Sequence, residues 1–346
     1  MAGRWADPVL MAKRSEQRIS DAALQGSTSI QVDRLESMPL FLVGAERSGT
    51  TLLRLLLNQH PLLAWLGEFE FAVDHLSESG AWPPREEYVA RLRQDRVFNH
   101  WGFAVSGAAE PPDIAHACLL QWHRRHGGSM VGATIHRHLH RIPLVWPKAR
   151  YIHIVRDPRD VASSMVAMGW DGNVFTAIDR WIEVEESWAR LRDRISPDDW
   201  IETRFEALIR SPSLEIAKLC RFMGIPFDAA MTAPCEGSTY SAPDASLTNQ
   251  WRQRLSQSQL RWIESKAAEM MVDRGYEPSN GHWKPLGPIE SRLLRIASRV
   301  GKTSAARRTL GTRLWLAAVV SKRTSLEGWS NSVRRRIHEI TEQNLR

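Results

Sequence analysis

The chain has 346 residues, 43% hydrophobic and 25% charged, which is enough apolar material for a large core and excludes collagen-like, disordered and disulfide-scaffold classes. Of 46 Lys/Arg and 39 Asp/Glu, residues 284–346 hold 14 and 4, so the net charge of +7 belongs to the tail and residues 1–283 keep 32 against 35. A nucleic-acid-binding body would carry its own basic face, so no nucleic-acid partner is expected.

Cys118, Cys220 and Cys235 form no CxxC pair, and a reduced cytoplasmic setting fits them. The first residues contain no long apolar run, which argues against a secretory signal. No run of about 18 apolar residues predicts a transmembrane helix.

Residues 1–37 are polar without a clear period and read as an arm carrying at most one short helix. Pro39 opens the apolar run Leu40-Phe41-Leu42-Val43, which Gly44 ends; this is the pattern of a buried strand. Leu52, Leu53, Leu55, Leu56 and Leu57 follow at helical spacing, up to His60-Pro61. Residues 72–130 read as largely helical, with a break at Pro111-Pro112. Residues 151–155 predict a second strand, with Asp157 as cap and Pro158 at the first position of a helix over 161–168. Residues 200–205 predict a third strand, before a helix over 213–223 that Gly224 ends. Strands alternating with helices imply a three-layer α/β fold, P-loop-like, with a central parallel sheet.

The loop between the first strand and helix reads Gly44-Ala45-Glu46-Arg47-Ser48-Gly49-Thr50-Thr51. Glycines let backbone N–H groups converge on one anion, and the helix N-terminus adds partial positive charge. A Walker A loop has lysine directly after the second glycine. Here that position holds Thr50 and the cation is Arg47, which argues against ordinary ATP hydrolysis. The alternative is a plain strand-to-helix turn with Arg47 in solvent.

Arg47-Ser48-Gly49-Thr50-Thr51, followed by Leu52-Leu53-Arg54 and His60-Pro61, resembles the 5′-phosphosulfate loop of the sulfotransferases, in the branch that holds the tyrosylprotein sulfotransferases and many bacterial enzymes. The resemblance implies 3′-phosphoadenylyl sulfate (PAPS) as co-substrate, a hydroxyl-bearing acceptor, and no metal. It also implies a second anion site for the 3′-phosphate, built from an arginine at a strand end and a serine eight residues on. Arg156 and Ser164 stand at that spacing. The segments Glu202-Thr203-Arg204-Phe205-Glu206, Phe222-Met223-Gly224-Ile225-Pro226, Trp251-Arg252 and Gly275-Tyr276 resemble later parts of the family. The implied division is an arm over 1–37, a sulfotransferase domain over 38–283 and a basic helical C-terminal extension over 284–346.

In-line sulfuryl transfer is governed by positioning and charge stabilisation. By resemblance, Arg47 neutralises charge on the departing oxygen, and Ser48, Gly49, Thr50 and Thr51 hold the 5′-phosphate. Glu68 stands 21 residues after Arg47, where the tyrosylprotein-type enzymes keep their catalytic glutamate. Its neighbours Trp65, Leu66, Phe69 and Phe71 predict an apolar setting that raises a carboxyl pKa; Glu70 is the rival base. His60, His75, His136, His138 and His140 are alternative bases by resemblance to the cytosolic members, and His60 reads as a capping residue. His136 stands where many relatives carry a lysine near the leaving group, and Phe205 where relatives often have a nucleotide-contacting tyrosine. Some bacterial members share the Gly-Ala-Thr-x-His run around His136 and the Met-Gly-Trp-x-Gly-Asn pattern of 168–173.

Trp65, Trp82, Trp101 and Trp170 fall in segments expected to rim an acceptor pocket. In the tail, Arg307-Arg308, Lys322-Arg323 and Arg334-Arg335-Arg336 alternate with Leu314, Trp315, Val319, Leu326, Trp329, Val333, Ile337 and Ile340. This is the pattern of a basic amphipathic helix, suited either to peripheral contact with an anionic membrane or to packing on the catalytic domain. The competing functions are a P-loop nucleotide kinase or NTPase, and a non-catalytic PAP-binding protein.

Overall fold

The structure is a computed structural model describing residues 38–105, 107, 109–233, 244–279 and 285–321, with residues 329, 332, 333, 336, 337 and 340 beyond them. The arm over 1–37, Cys235, Leu326 and Arg334-Arg335 lie outside the described residues.

The Leu-Phe-Leu-Val run is strand β1 (Leu40–Val43), buried throughout because helices cover both faces of the sheet. In chain order follow α1 (Thr50–Leu57), β2 (Leu63–Glu68), α2 (Arg85–Gln94), α3 (Arg96–Trp101), α4 (Pro111–His126), β3 (Met130–Ile135), α5 (Ile142–Val145), β4 (Arg150–Val155), α6 (Pro158–Ala167) and α7 (Val174–Arg192). Strand β5 (Trp200–Arg204), α8 (Phe205–Arg210), α9 (Pro212–Met223), α10 (Trp251–Arg254), α11 (Gln257–Asp273) and α12 (Pro288–Ser321, broken at Gly311) follow among the described residues. The strands form one parallel sheet in the order β2-β3-β1-β4-β5.

Alternation along the strands separates the core into two faces. Leu40, Leu42, Ile152 and Ile154 pack with Leu53, Leu56 and Leu219 on one side. Phe41, Val43, Tyr151 and Val155 pack with Val161, Ile178 and Trp188 on the other. The expected strand-loop-helix units at β1–α1 and β4–α6 are present, and Asp157 caps α6 by accepting a hydrogen bond from Arg159 N at 2.9 Å. Gly224, at φ 75°, ends α9 in the left-handed conformation that glycine allows.

Several sequence expectations need correction. Strands β2 and β3 interrupt the region read as helical or left unread. Gly132 in β3 is the reason their pairing hides: a Cβ there would lie 2.6 Å from the ring of Trp65. Trp65 therefore sits in the core at 1% exposure, not at a pocket rim. Pro111-Pro112 opens α4 instead of breaking a helix, because first-turn positions need no backbone donor. The third strand stops at Arg204, and Phe205 begins α8.

One buried network ties the sheet to its helices. His153 in β4 is fully buried, its Nε2 3.1 Å from Glu185 Oε1 of α7 and its Nδ1 2.9 Å from Glu202 Oε2 of β5. Arg274, just after α11, donates to Glu185 Oε2 at 2.6 Å, and the His153 ring stacks on Trp188. Both ring nitrogens face carboxylate oxygens, an arrangement that favours the doubly protonated ring. Burial works against that charge, but Glu185 and Glu202 outweigh it and the net shift of the His153 pKa is upward. Stability from this group is complete below the usual histidine value of about 6.5 and is lost as pH rises through the higher folded value. The thermal midpoint of the wild type is expected to fall from neutral towards alkaline pH, and His153→Gln to flatten that dependence; equal slopes would remove His153 as the cause.

Candidate active site

The phosphate-loop geometry begins at β1. Gly44 leaves β1 so close to β4 that a Cβ would fall 2.3 Å from Ile154 O. Arg47 adopts φ 70°, a left-handed conformation uncommon outside glycine, and Ser48 N donates to Ala45 O at 3.1 Å to close the turn. Gly49, at φ 95°, precedes α1 and makes no side-chain cap, so the first-turn N–H groups at Thr50 and Thr51 keep their donor capacity for an anion. A Cβ on Gly49 would collide with the Phe205 ring at 2.2 Å, which fixes a glycine there.

Arg156 follows β4 and reaches the same loop. Its Nη1 donates to Arg47 O at 3.0 Å, its Nη2 donates to Leu247 O at 2.7 Å, and its guanidinium lies 4.3 Å over the Phe205 ring. Ser164, in α6, accepts from Arg47 Nε at 3.0 Å, and the Arg47 guanidinium lies 5.6 Å from the Trp170 ring centre. The two predicted anion sites are thus one network, with Arg47 touching both Arg156 and Ser164. Ser48 Oγ and Arg156 Nε are buried and meet no hydrogen-bond partner among the described residues. Both are donor groups whose chemistry matches a phosphate-bearing ligand.

Glu68 is the last residue of β2 and is exposed. The chain then turns into a short 3₁₀ segment, Glu70–Ala72, which carries Glu70 inward to 5% exposure. The apolar setting expected around Glu68 is therefore found at Glu70, whose carboxyl burial pushes up to about 7 while His136 partly offsets the rise. Glu70 Oε1 accepts from His136 N at 3.0 Å, and His136 Nδ1 donates to Gly44 O at 2.8 Å. Burial opposes charge on the His136 ring, but Glu70 and Glu46 outweigh it and the net shift is upward. His136 thus braces the start of the loop through Gly44 O.

The strand order explains how these residues meet. Glu68 ends β2, His136 follows β3, Arg47 follows β1 and Arg156 follows β4, so four adjacent carboxyl ends present a carboxylate, an imidazole and two guanidiniums in a row. Ligands of open parallel sheets bind outside such ends. His60 plays no part: its Nδ1 accepts from Leu62 N at 3.1 Å and its Nε2 donates to Pro226 O at 3.0 Å, closing the turn after α1.

An open cleft of about 610 Å³ is lined by Asp74, His75, Trp82, Arg91, His138 and Arg141. Asp74 N donates to Glu70 O at 2.9 Å, so the cavity wall begins one turn beyond Glu70. Trp82 lines it, whereas Trp101 packs against Trp122 at 5.0 Å and Trp170 lies beside Arg47. The sequence marked Phe205 only as standing where relatives often have a nucleotide-contacting tyrosine; its contacts with Gly49 and Arg156 escaped that reading. So did the Leu247 carbonyl, a backbone atom that no residue type encodes.

The comparisons with known proteins agree with this geometry. A family model described as "Sulfotransferase family" matches residues 39–229. Protein-tyrosine sulfotransferase A of Caenorhabditis elegans is 22% identical over 250 residues, covering 66% of this chain; the match spans 63% of that relative's own length. Two solved structures share the fold: the sulfotransferase domain of the Synechococcus PCC 7002 olefin synthase (TM-score 0.51, 21% identity, 68% of this chain and 94% of that one) and that of the curacin biosynthetic pathway (TM-score 0.50, 16% identity, 70% and 98%). The match covers more than half of the chain, including the loop between β1 and α1 and the arginine after β4, and the chain belongs to the sulfotransferase family.

Proposed function

We propose that this protein transfers a sulfuryl group from PAPS to a hydroxyl of an acceptor held in the cavity beside Glu70. The observation that carries the reading is the pair of buried, partnerless donors, Ser48 Oγ and Arg156 Nε, flanking an uncapped helix N-terminus. PAPS supplies an activated sulfuryl group on a phosphate leaving group. Ser48, Gly49, Thr50 and Thr51 hold the 5′-phosphate; Arg156 and Ser164 serve the 3′-phosphate. Arg47 stands between them to neutralise charge on the departing oxygen. The acceptor oxygen forms its bond to sulfur as the bridging S–O bond breaks, and the acceptor proton passes to the Glu68 carboxylate. Glu68 is favoured over Glu70 because it is exposed at the strand end, whereas Glu70 is buried and bound to the His136 backbone. His136 takes the position of the lysine of many relatives. Thr50 in the Walker lysine position disfavours the kinase reading. A reduced, cytoplasmic setting is part of the proposal, supported by the free, buried thiols of Cys118 and Cys220.

PAP at 100 times its dissociation constant is expected to stabilise the wild type by about 2.7 kcal/mol, visible as a rise in thermal midpoint, and Arg156→Ala to lose most of the rise. A shift with magnesium-ATP and none with PAP would restore the kinase reading. With PAPS and a panel of phenolic, sugar and lipid hydroxyls, Arg47→Ala is expected to lower transfer by ~10²–10³. On the same panel, Glu68→Gln should lose ~10²-fold or more while keeping the PAP shift, and Glu70→Gln should lose less. The reverse ranking would make Glu70 the base, and PAP binding without transfer to any acceptor would leave a binding protein.

A further inference from the structure

We propose that the outer face of α12 is a docking surface for an anionic lipid bilayer. The helix has two opposed faces. On the inner one, Leu294 O accepts from Asn173 Nδ2 at 2.7 Å and Ser298 Oγ donates to Asp171 Oδ1 at 2.8 Å. The contact is backbone-close, since a Cβ on Gly172 would fall 1.9 Å from Ser298 O. On the outer face, Ile289, Leu293, Ile296 and Val300 are 76, 61, 48 and 64% exposed. Their spacings of four, three and four residues place them in a stripe roughly 60° wide and about 16 Å long, facing away from the body.

Charge decides what covers the stripe. Before the break at Gly311, where φ is 73°, α12 carries six cations, Arg292, Arg295, Arg299, Lys302, Arg307 and Arg308, against the single acid Glu290. Of these, Lys302 is held by Asp171 at 3.0 Å, and Glu290 is held by Arg261 at 3.0 Å. Arg292, Arg295 and Arg299 are exposed along one flank of the stripe. Exposed aliphatics bordered by arginines suit a surface that offers hydrocarbon beneath anionic headgroups. Nucleic acid offers the phosphates without the hydrocarbon. A second copy would set one row of cations against another. No helix among the described residues is long and apolar enough to cross a membrane, so α12 lies on the surface. Its dock, the Asp171–Asn173 turn, directly follows Trp170, which touches Arg47. The bilayer would therefore lie close to the phosphate loop.

Sedimentation of the full chain with vesicles of phosphatidylcholine, alone or mixed with phosphatidylglycerol, tests this independently of catalysis. Binding is expected to the anionic vesicles at low ionic strength, to weaken as salt screens the arginines, and to be absent from phosphatidylcholine alone. The double variant Leu293→Glu, Ile296→Glu should bind roughly tenfold less or weaker still, with an unchanged thermal midpoint because both positions are exposed. The triple variant Arg292→Gln, Arg295→Gln, Arg299→Gln should bind less and lose much of the salt dependence. No sedimentation with anionic vesicles at low ionic strength, or full binding by the double variant, would overturn the proposal. So would a concentration-dependent dimer in light scattering that the double variant abolishes, since that would assign the stripe to a second copy.

Discussion

The hydrogen bond from Arg156 to the carbonyl of Arg47 holds the site in place. A left-handed conformation at a non-glycine residue costs roughly 1–2 kcal/mol. A hydrogen bond to a charged donor returns about 1.5–3 kcal/mol. Because Arg156 Nη1 donates to Arg47 O at 3.0 Å, the strained residue keeps the shape that lets Ser48 N close the turn and lets Gly49 start α1 without a cap. The same guanidinium rests on Phe205, and Phe205 fills the space that a side chain at position 49 would need. Three segments, at residues 44–51, 156 and 205, thus support one another.

The charged groups follow from the parallel sheet. Every strand delivers its carboxyl end to the same edge, so whatever residue follows a strand joins a common row. This edge collects cations beside β1 and β4 and acids beside β2, with His136 between them. Glu70 stays partly protonatable near neutral pH because burial dominates its setting, and its bond to His136 N ties the acidic half of the row to the phosphate loop through Gly44. Away from that edge, the buried His153 ring stands between two carboxylates, where it fastens β4, β5 and α7.

The Gly44–Thr51 loop, the Arg156 and Ser164 spacing and the strand-helix units around them were legible because each is a local pattern: an apolar run, glycines at a turn, a cap and a proline. Strands β2 and β3 were not. Trp65 and Gly132 make sense only as a pair across the sheet, and neither residue alone signals a strand. The acidic pair shows the same limit. In an extended strand Glu68 and Glu70 would share a face, but the chain leaves β2 at Glu68, so the apolar neighbours read around Glu68 enclose Glu70 instead. In the tail, the amphipathic pattern was read from Leu314 onward, whereas the exposed stripe begins at Ile289. Which face of α12 points outward depends on its dock at Gly172, and no period reveals that.

By itself, then, the sequence determined the fold class and, through its resemblance, the family, because these depend on local patterns that neighbouring residues impose. Only the tertiary structure decided the strand order that lines up Glu68, His136, Arg47 and Arg156, the burial that separates Glu70 from Glu68, and the platform that Phe205 makes beneath Arg156. Those outcomes depend on contacts between residues distant in the chain, and their physical source is the packing of side chains that carry no mark of their partners.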